Sequence, residues 1–95
     1  MAEKKAVHAK ITGRVQGVNF RMETSRAADR YGVNGWVMNK PDGSVEAWFE
    51  GDAEKVDGIL DWCREGPQVA FVENVKVSEE PYSGKYDDFS VRHTF

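Results

Sequence analysis

Nine residues near the start of the chain, Gly13-Arg14-Val15-Gln16-Gly17-Val18-Asn19-Phe20-Arg21, have the types and spacing to hold an oxyanion. The two glycines allow sharp turns and positive φ, so several backbone N–H groups can converge on one point. The residues that follow read as a helix, whose positive dipole end and unpaired first-turn donors would face the same point. Arg21, at the start of that helix, adds a planar, permanently charged fork that matches two phosphate oxygens. Donors, dipole and guanidinium together predict a phosphate cradle. The run lacks both the Gly-Lys-Ser/Thr ending of a nucleotide P-loop and the G-x-G-x-x-G of a dinucleotide fold. On spacing alone, a strand-to-helix turn with a solvent-facing arginine is an equally good reading.

The elements around the run decide what it can be. Val7, Ala9 and Ile11 alternate with His8, Lys10 and Thr12, the period of a half-buried strand leading into the loop. After it, Phe20, Thr24, Ala27, Ala28 and Tyr31 share one helical face, and Gly32 is placed to end that helix in a left-handed cap. Lys40-Pro41-Asp42-Gly43 separates two strand-like runs and predicts a hairpin turn, which leaves Asn39 at a strand end. Asp52 is placed to cap a second helix with its side chain, and Val56, Ile59, Leu60 and Cys63 form that helix's apolar stripe. Gly66-Pro67 stops it. Alternating residues from Val72 to Val77 predict a further strand, Glu79 to Asp88 a solvated connection, and Phe89 to His93 a last strand.

The order β-α-β-β-α-β predicts an α+β, ferredoxin-like fold: a four-stranded antiparallel sheet with two helices on one face. Right-handed crossovers should bring the first and third strands together at its centre. A chain of 95 residues is expected to form one domain over 1–95, with a core from about 7 to 95 and a mobile terminus over 1–5.

Composition narrows the function classes. Hydrophobic content of 40% beside 31% charged residues is that of a soluble globular protein, and no apolar run approaches a membrane span. The single cysteine excludes an internal disulfide and agrees with a reducing, cytoplasmic setting. Net charge is −3, yet residues 1–21 carry five bases against one acid, and the remainder eight against fifteen. A local positive field around the loop suits a small anion, whereas the acidic balance speaks against nucleic acid.

Asn39 is the second residue with chemical potential. Its amide can donate and accept at once, as holding a water molecule requires. Viewed alone it reads first as a turn-capping asparagine. The two motifs together, Gly-Arg-Val-Gln-Gly-Val-x-Phe-Arg at 13–21 and Gly-Trp-Val-x-Asn-x-x-Asp-Gly-x-Val at 35–45, resemble the acylphosphatase family. The likeness runs from about Val7 to Phe95 and includes the element order and the Gly-Pro after the second helix.

The resemblance implies hydrolysis of acyl phosphates to a carboxylate and inorganic phosphate, the latter both product and inhibitor. It implies that Val15, Gln16, Gly17, Val18, Asn19 and Phe20 bind phosphate as a loop, through the backbone, and that Arg21 binds it with its side chain. It implies that Asn39 positions the attacking water, and that neither metal nor other cofactor takes part, in keeping with the absence of a His/Cys/Asp cluster of metal-site spacing. Met22-Glu23 stands where relatives commonly carry an aromatic pair, which bears on how the acyl group is held. A free-standing, monomeric cytoplasmic enzyme acting on small molecules is the expectation, since the chain ends at Phe95 without a partner domain.

Two alternatives belong to other classes: a non-catalytic phosphate-binding module, and a single-stranded RNA binder that stacks bases on Trp36, Trp48 and Phe49. The aromatic-glycine motif of such RNA readers is missing, and packing is the expected role of the three rings. His8 and His93 read as ordinary strand histidines, and Cys63 as a buried thiol.

Overall fold

The computed structural model describes residues 3–93. Along the chain follow β1 (Lys4–Arg14), α1 (Phe20–Tyr31), β2 (Asn34–Asn39), β3 (Val45–Asp52), α2 (Ala53–Glu65), β4 (Phe71–Glu80) and β5 (Phe89–Arg92). In β1 the alternation sends Val7, Ala9 and Ile11 into the core, all fully buried. The helices meet them with the stripes read from sequence: Phe20, Thr24, Ala27 and Ala28 from α1, with Tyr31 of the same face only half-buried, and Val56, Ile59, Leu60 and Cys63 from α2. Each large apolar side chain so buried contributes ~1.5–3 kcal/mol. Gly32 closes α1 at φ 73°, donating its N–H to Ala28 O at 2.8 Å.

The sheet order is β4-β1-β3-β2-β5, and β1 and β3 lie side by side as right-handed crossovers require. The sheet has five strands and is mixed, which corrects the four-stranded antiparallel expectation. Both late runs are strands, and β5 lies parallel to β2, with Gly35 opposite Phe89 and Met38 opposite Arg92. The connection that starts after Glu80 leaves the β4 edge at the end where Ala6 is paired with both Glu80 and Glu50. It crosses that end of the sheet and delivers β5 to the far edge in the same direction as β2. Phe89 seals the edge by stacking on Phe49, with ring centroids 5.6 Å apart.

Glu50 anchors the crossing. Its carboxylate is 2% exposed and accepts three donors, Trp48 Nε1, Ser83 Oγ and the Gly84 N–H, each at 2.9 Å. Asn34 Nδ2 donates to Tyr86 O at 3.0 Å beside it. Glu50→Ala is expected to strand these donors and lower stability by about 3 kcal/mol, because bonds to a buried charged acceptor are the strong ones. A thermal midpoint within a degree or two of the parent, an energy difference of only ~0.3 kcal/mol, would show the carboxylate to be dispensable.

Three further expectations are corrected. The strand begins at Lys4, so Lys4 and Lys5 are not a mobile terminus: they pair with Asp52 and Gly51 of β3, and their ammonium groups reach Asp52 and Asp57 at 2.7 and 2.8 Å. Met1 and Ala2 lie outside the described residues, as do Thr94 and Phe95. Asp52 occupies the N-cap position of α2 without a side-chain capping bond. Its carboxylate is drawn to Lys4 and Lys55, and the Ala53 N–H is met by Glu3 O at 2.8 Å. Gly13 lies opposite a bulge in β4, where the register shifts between Thr12 and Gly13 and Glu73 is left unpaired. A Cβ there would stand 2.1 Å from Phe71 O, so the glycine serves close strand approach and not the cradle.

Candidate active site

The loop of residues 15–19 leaves β1 at the end of the sheet where β2 and β5 also finish, and α1 starts from it. Its conformation is held from below. Val15 and Phe20, each 1% exposed, are driven into the core, Phe20 against Trp62 at 5.9 Å between ring centroids. Val18 packs against the same core. Between these anchors Gly17 and Asn19 adopt left-handed backbone at φ 75° and 61°. Asparagine is among the few side chains that tolerate this region, and here it occupies the N-cap of α1. A left-handed residue followed by a right-handed one turns successive N–H groups to one side. Glu23 N–H is the first to find its acceptor, Asn19 O at 3.0 Å, so the donors of Phe20, Arg21 and Met22 precede the helical ladder.

Arg21 lies over this mouth. One nitrogen, Nη1, donates to Arg92 O at 3.0 Å and stands 3.5 Å from His93 Nδ1. That contact fixes the guanidinium at the end of β5 while most of its five N–H bonds stay available. Asn39, the last residue of β2, pairs with Val45 of β3. Its Oδ1 is buried without a hydrogen-bond donor among the described residues. Buried polar atoms are nearly always partnered, so this oxygen marks a place where a donor is wanted.

These groups share a cleft of about 260 Å³ lined by Val15, Gln16, Gly17, Asn19, Phe20, Arg21, Met22, Asn39, Val91 and His93. Of residues 15–21 and Asn39, only Val18 does not line it, because its side chain turns to the core. Three further residues line it: Met22, which the sequence linked to the fit of the acyl group, Val91, which it left without a role, and His93, which it gave as an ordinary strand histidine. Met22 and Val91 add apolar surface, Met22 being half exposed at the rim. His93 reaches the cleft because β5 runs parallel to β2 and ends beside Asn39's strand end. A signal existed in the short spacing of Val91 and His93 after Phe89, but it carries no direction.

The hairpin turn after Asn39 is tightly tied. Asp42 accepts Ser44 N–H at 3.0 Å, Ser44 Oγ at 2.6 Å and Lys10 Nζ at 2.9 Å. Those bonds, from Ser44 first and Lys10 next, hold its carboxyl well below the usual carboxylate range. The remaining candidates have structural surroundings. His8 sits 3.4 Å from Glu46. Burial pushes the Cys63 thiol up to about 12, which leaves it inert. Trp36 donates to Tyr86 Oη at 3.2 Å beneath the Arg92 guanidinium, Trp48 to Glu50, and Phe49 is fully buried. No group of three or more His, Cys, Asp or Glu among the described residues could hold a metal ion, and no helix is long and apolar enough to cross a membrane.

An α+β sandwich with a cleft at a helix N-terminus, lined by an arginine and an asparagine, has the donors to suit an anion. The comparisons give the family. The acylphosphatase family model matches residues 7–91. An acylphosphatase of Syntrophus aciditrophicus is 53% identical over 92% of this chain and 91% of its own. One of Rubrobacter xylanophilus is 54% identical over 95% of this chain and 82% of its own. The solved acylphosphatase of Coxiella burnetii superposes with a TM-score of 0.89 at 35% identity, covering 94% of this chain and 93% of that one. The chain belongs to the acylphosphatase family.

Proposed function

We propose that the chain hydrolyses acyl phosphates at this cleft, with the backbone N–H groups of residues 15–20 and the Arg21 guanidinium binding the phosphoryl group and Asn39 holding the attacking water. Family membership makes it a hydrolase. The observation that carries the division of roles is the convergence of Arg21, the loop and Asn39 on one cleft.

The chemistry suits so small an apparatus. An acyl phosphate is a mixed anhydride, and cleavage of its P–O bond releases a carboxylate that is stable as an anion at neutral pH. The departing oxygen needs no proton, so no general acid is required. The phosphoryl group passes through a loose transition state with charge on its equatorial oxygens, where positioning and charge stabilisation do most of the work. Guanidinium, loop N–H groups and the α1 dipole supply that stabilisation, and the Asn39 amide holds the water with its lone pair aimed at phosphorus. A phosphate monoester would have to expel a far more basic alkoxide, and this site should handle it poorly.

The same reading takes residues 1–95 as one catalytic domain, monomeric and cytoplasmic, acting without cofactor on small acyl phosphates and not on nucleic acid. One continuous core beneath both helices supports the first part, and a positive loop on an acidic chain the last. The test is phosphate release from a simple aromatic acyl phosphate in excess chelator. Turnover is expected to persist there and not to rise with added magnesium or zinc, since a carboxylate leaving group needs no Lewis acid. Activity that vanished with chelator and returned with one metal would defeat the metal-free mechanism.

A further inference from the structure

The side chain of Gln16 does something its place in the loop does not announce. Its Nε2 donates to Lys40 O and to Ser44 O, both at 2.8 Å. An amide nitrogen has two hydrogens, so both are engaged on the two carbonyls that close the β2–β3 turn. The same carbonyls carry the turn's own bonds: Lys40 N–H donates to Ser44 O at 2.8 Å, and Gly43 N–H to Lys40 O at 3.1 Å. Asn39 immediately precedes Lys40, and its partner across the hairpin, Val45, immediately follows Ser44. The amide therefore grips the hairpin one residue from Asn39 on one strand and one residue from Asn39's partner on the other.

We propose that Gln16 is a positioning residue for the hydrolysis: its backbone belongs to the phosphoryl cradle, while its side chain sets where Asn39 stands relative to that cradle. The inference rests on the water-holding role of Asn39 argued above. In-line attack needs the water and the phosphorus in fixed relation, and those two are carried by different segments. Asn39 sits on the hairpin and the phosphoryl site on the loop, and the Gln16 amide spans the gap. A misplacement of about 1 Å at a reacting centre can cost ~10² in rate without touching ground-state binding. Methionine has nearly the same length but no donors. Asparagine keeps the amide and withdraws it by one methylene.

The experiment is a four-cornered comparison of the parent, Gln16→Met, Asn39→Ala and the double variant, each assayed well below its thermal midpoint. Read out are kcat on an aromatic acyl phosphate and the inhibition constant of inorganic phosphate. Gln16→Met is expected to lower kcat by ~10–10² and to leave the phosphate constant within about threefold. In the Asn39→Ala background the same change should cost less than about threefold, because nothing remains to be positioned. A merely structural glutamine would move the midpoint and neither the kcat-to-phosphate split nor the coupling. Full additivity of the two substitutions, or phosphate affinity that falls in step with kcat, overturns the proposal while leaving the role of Asn39 intact. Unchanged kcat in Asn39→Ala alone removes that role and this inference with it. Should Gln16→Met fail to fold, Gln16→Asn takes its place with the same expected split and coupling.

Discussion

Arg21→Ala is expected to abolish turnover and phosphate inhibition together. Both depend on one guanidinium, set over the loop and braced through Nη1 by Arg92 O at 3.0 Å. A fixed arginine that meets a transferring phosphoryl group is worth ~10³–10⁵ in rate, since charge on the equatorial oxygens grows toward the transition state. On the proposed reading the same fork would make two charge-assisted bonds to the product phosphate in the ground state, so the inhibition constant should rise steeply as well. Arg21→Lys should restore little: a point charge on a flexible stem reproduces neither the paired bonds nor the brace against β5. The fold should survive, because the side chain contributes one neutral acceptor bond, about 1 kcal/mol. Phosphate affinity measured directly on the folded variant decides the matter. Affinity unchanged from the parent would remove this arginine from the cradle.

What was legible in the sequence followed from short-range rules, and what was missed followed from long-range ones. The alternation in Val7, Ala9 and Ile11 and the stripes on both helices give the buried face of each element, and every one of those residues is buried except Tyr31, which is half-buried. Gly32 and Pro41-Asp42-Gly43 act through local backbone chemistry, and the cap and the turn are where they were expected. Period-2 alternation names a face but neither a neighbour nor a direction. The parallel course of β5, its edge position and therefore His93 beside Arg21 depended on a connection held by Glu50, some thirty residues back along the chain. Asp52 had the type and place of a capping residue, yet Lys4, distant in sequence, competed for its carboxylate. Gly13 showed the need for a missing side chain, but only the opposing β4 backbone says why. The candidate site was legible through paired motifs on 13–21 and 35–45, while the Gln16 amide that joins them is a tertiary contact with no local pattern.

Asn39→Ala should behave differently from any change at Arg21, and the contrast tests how the work is divided. Asn39 closes β2, its backbone fixed opposite Val45, with Oδ1 buried and lacking a donor. The residue lines the cleft, and on the proposed reading a water held by its amide matters as the new P–O bond forms. On the same reading, ground-state phosphate binding belongs to the loop and Arg21. Loss of one preorganised polar contact at a reacting centre costs ~10²–10³ in rate, about 3–4 kcal/mol. The variant should therefore lose most of its kcat and still bind inorganic phosphate nearly as tightly as the parent. Stability should change by only ~1 kcal/mol, since the substitution also removes a buried oxygen that had no partner. Three measurements suffice: kcat, the phosphate inhibition constant and the thermal midpoint. If kcat stays within about threefold of the parent, Asn39 is a turn residue and the water is held elsewhere. If phosphate binding collapses together with kcat, Asn39 is part of the cradle, and the separation of binding from water positioning is wrong.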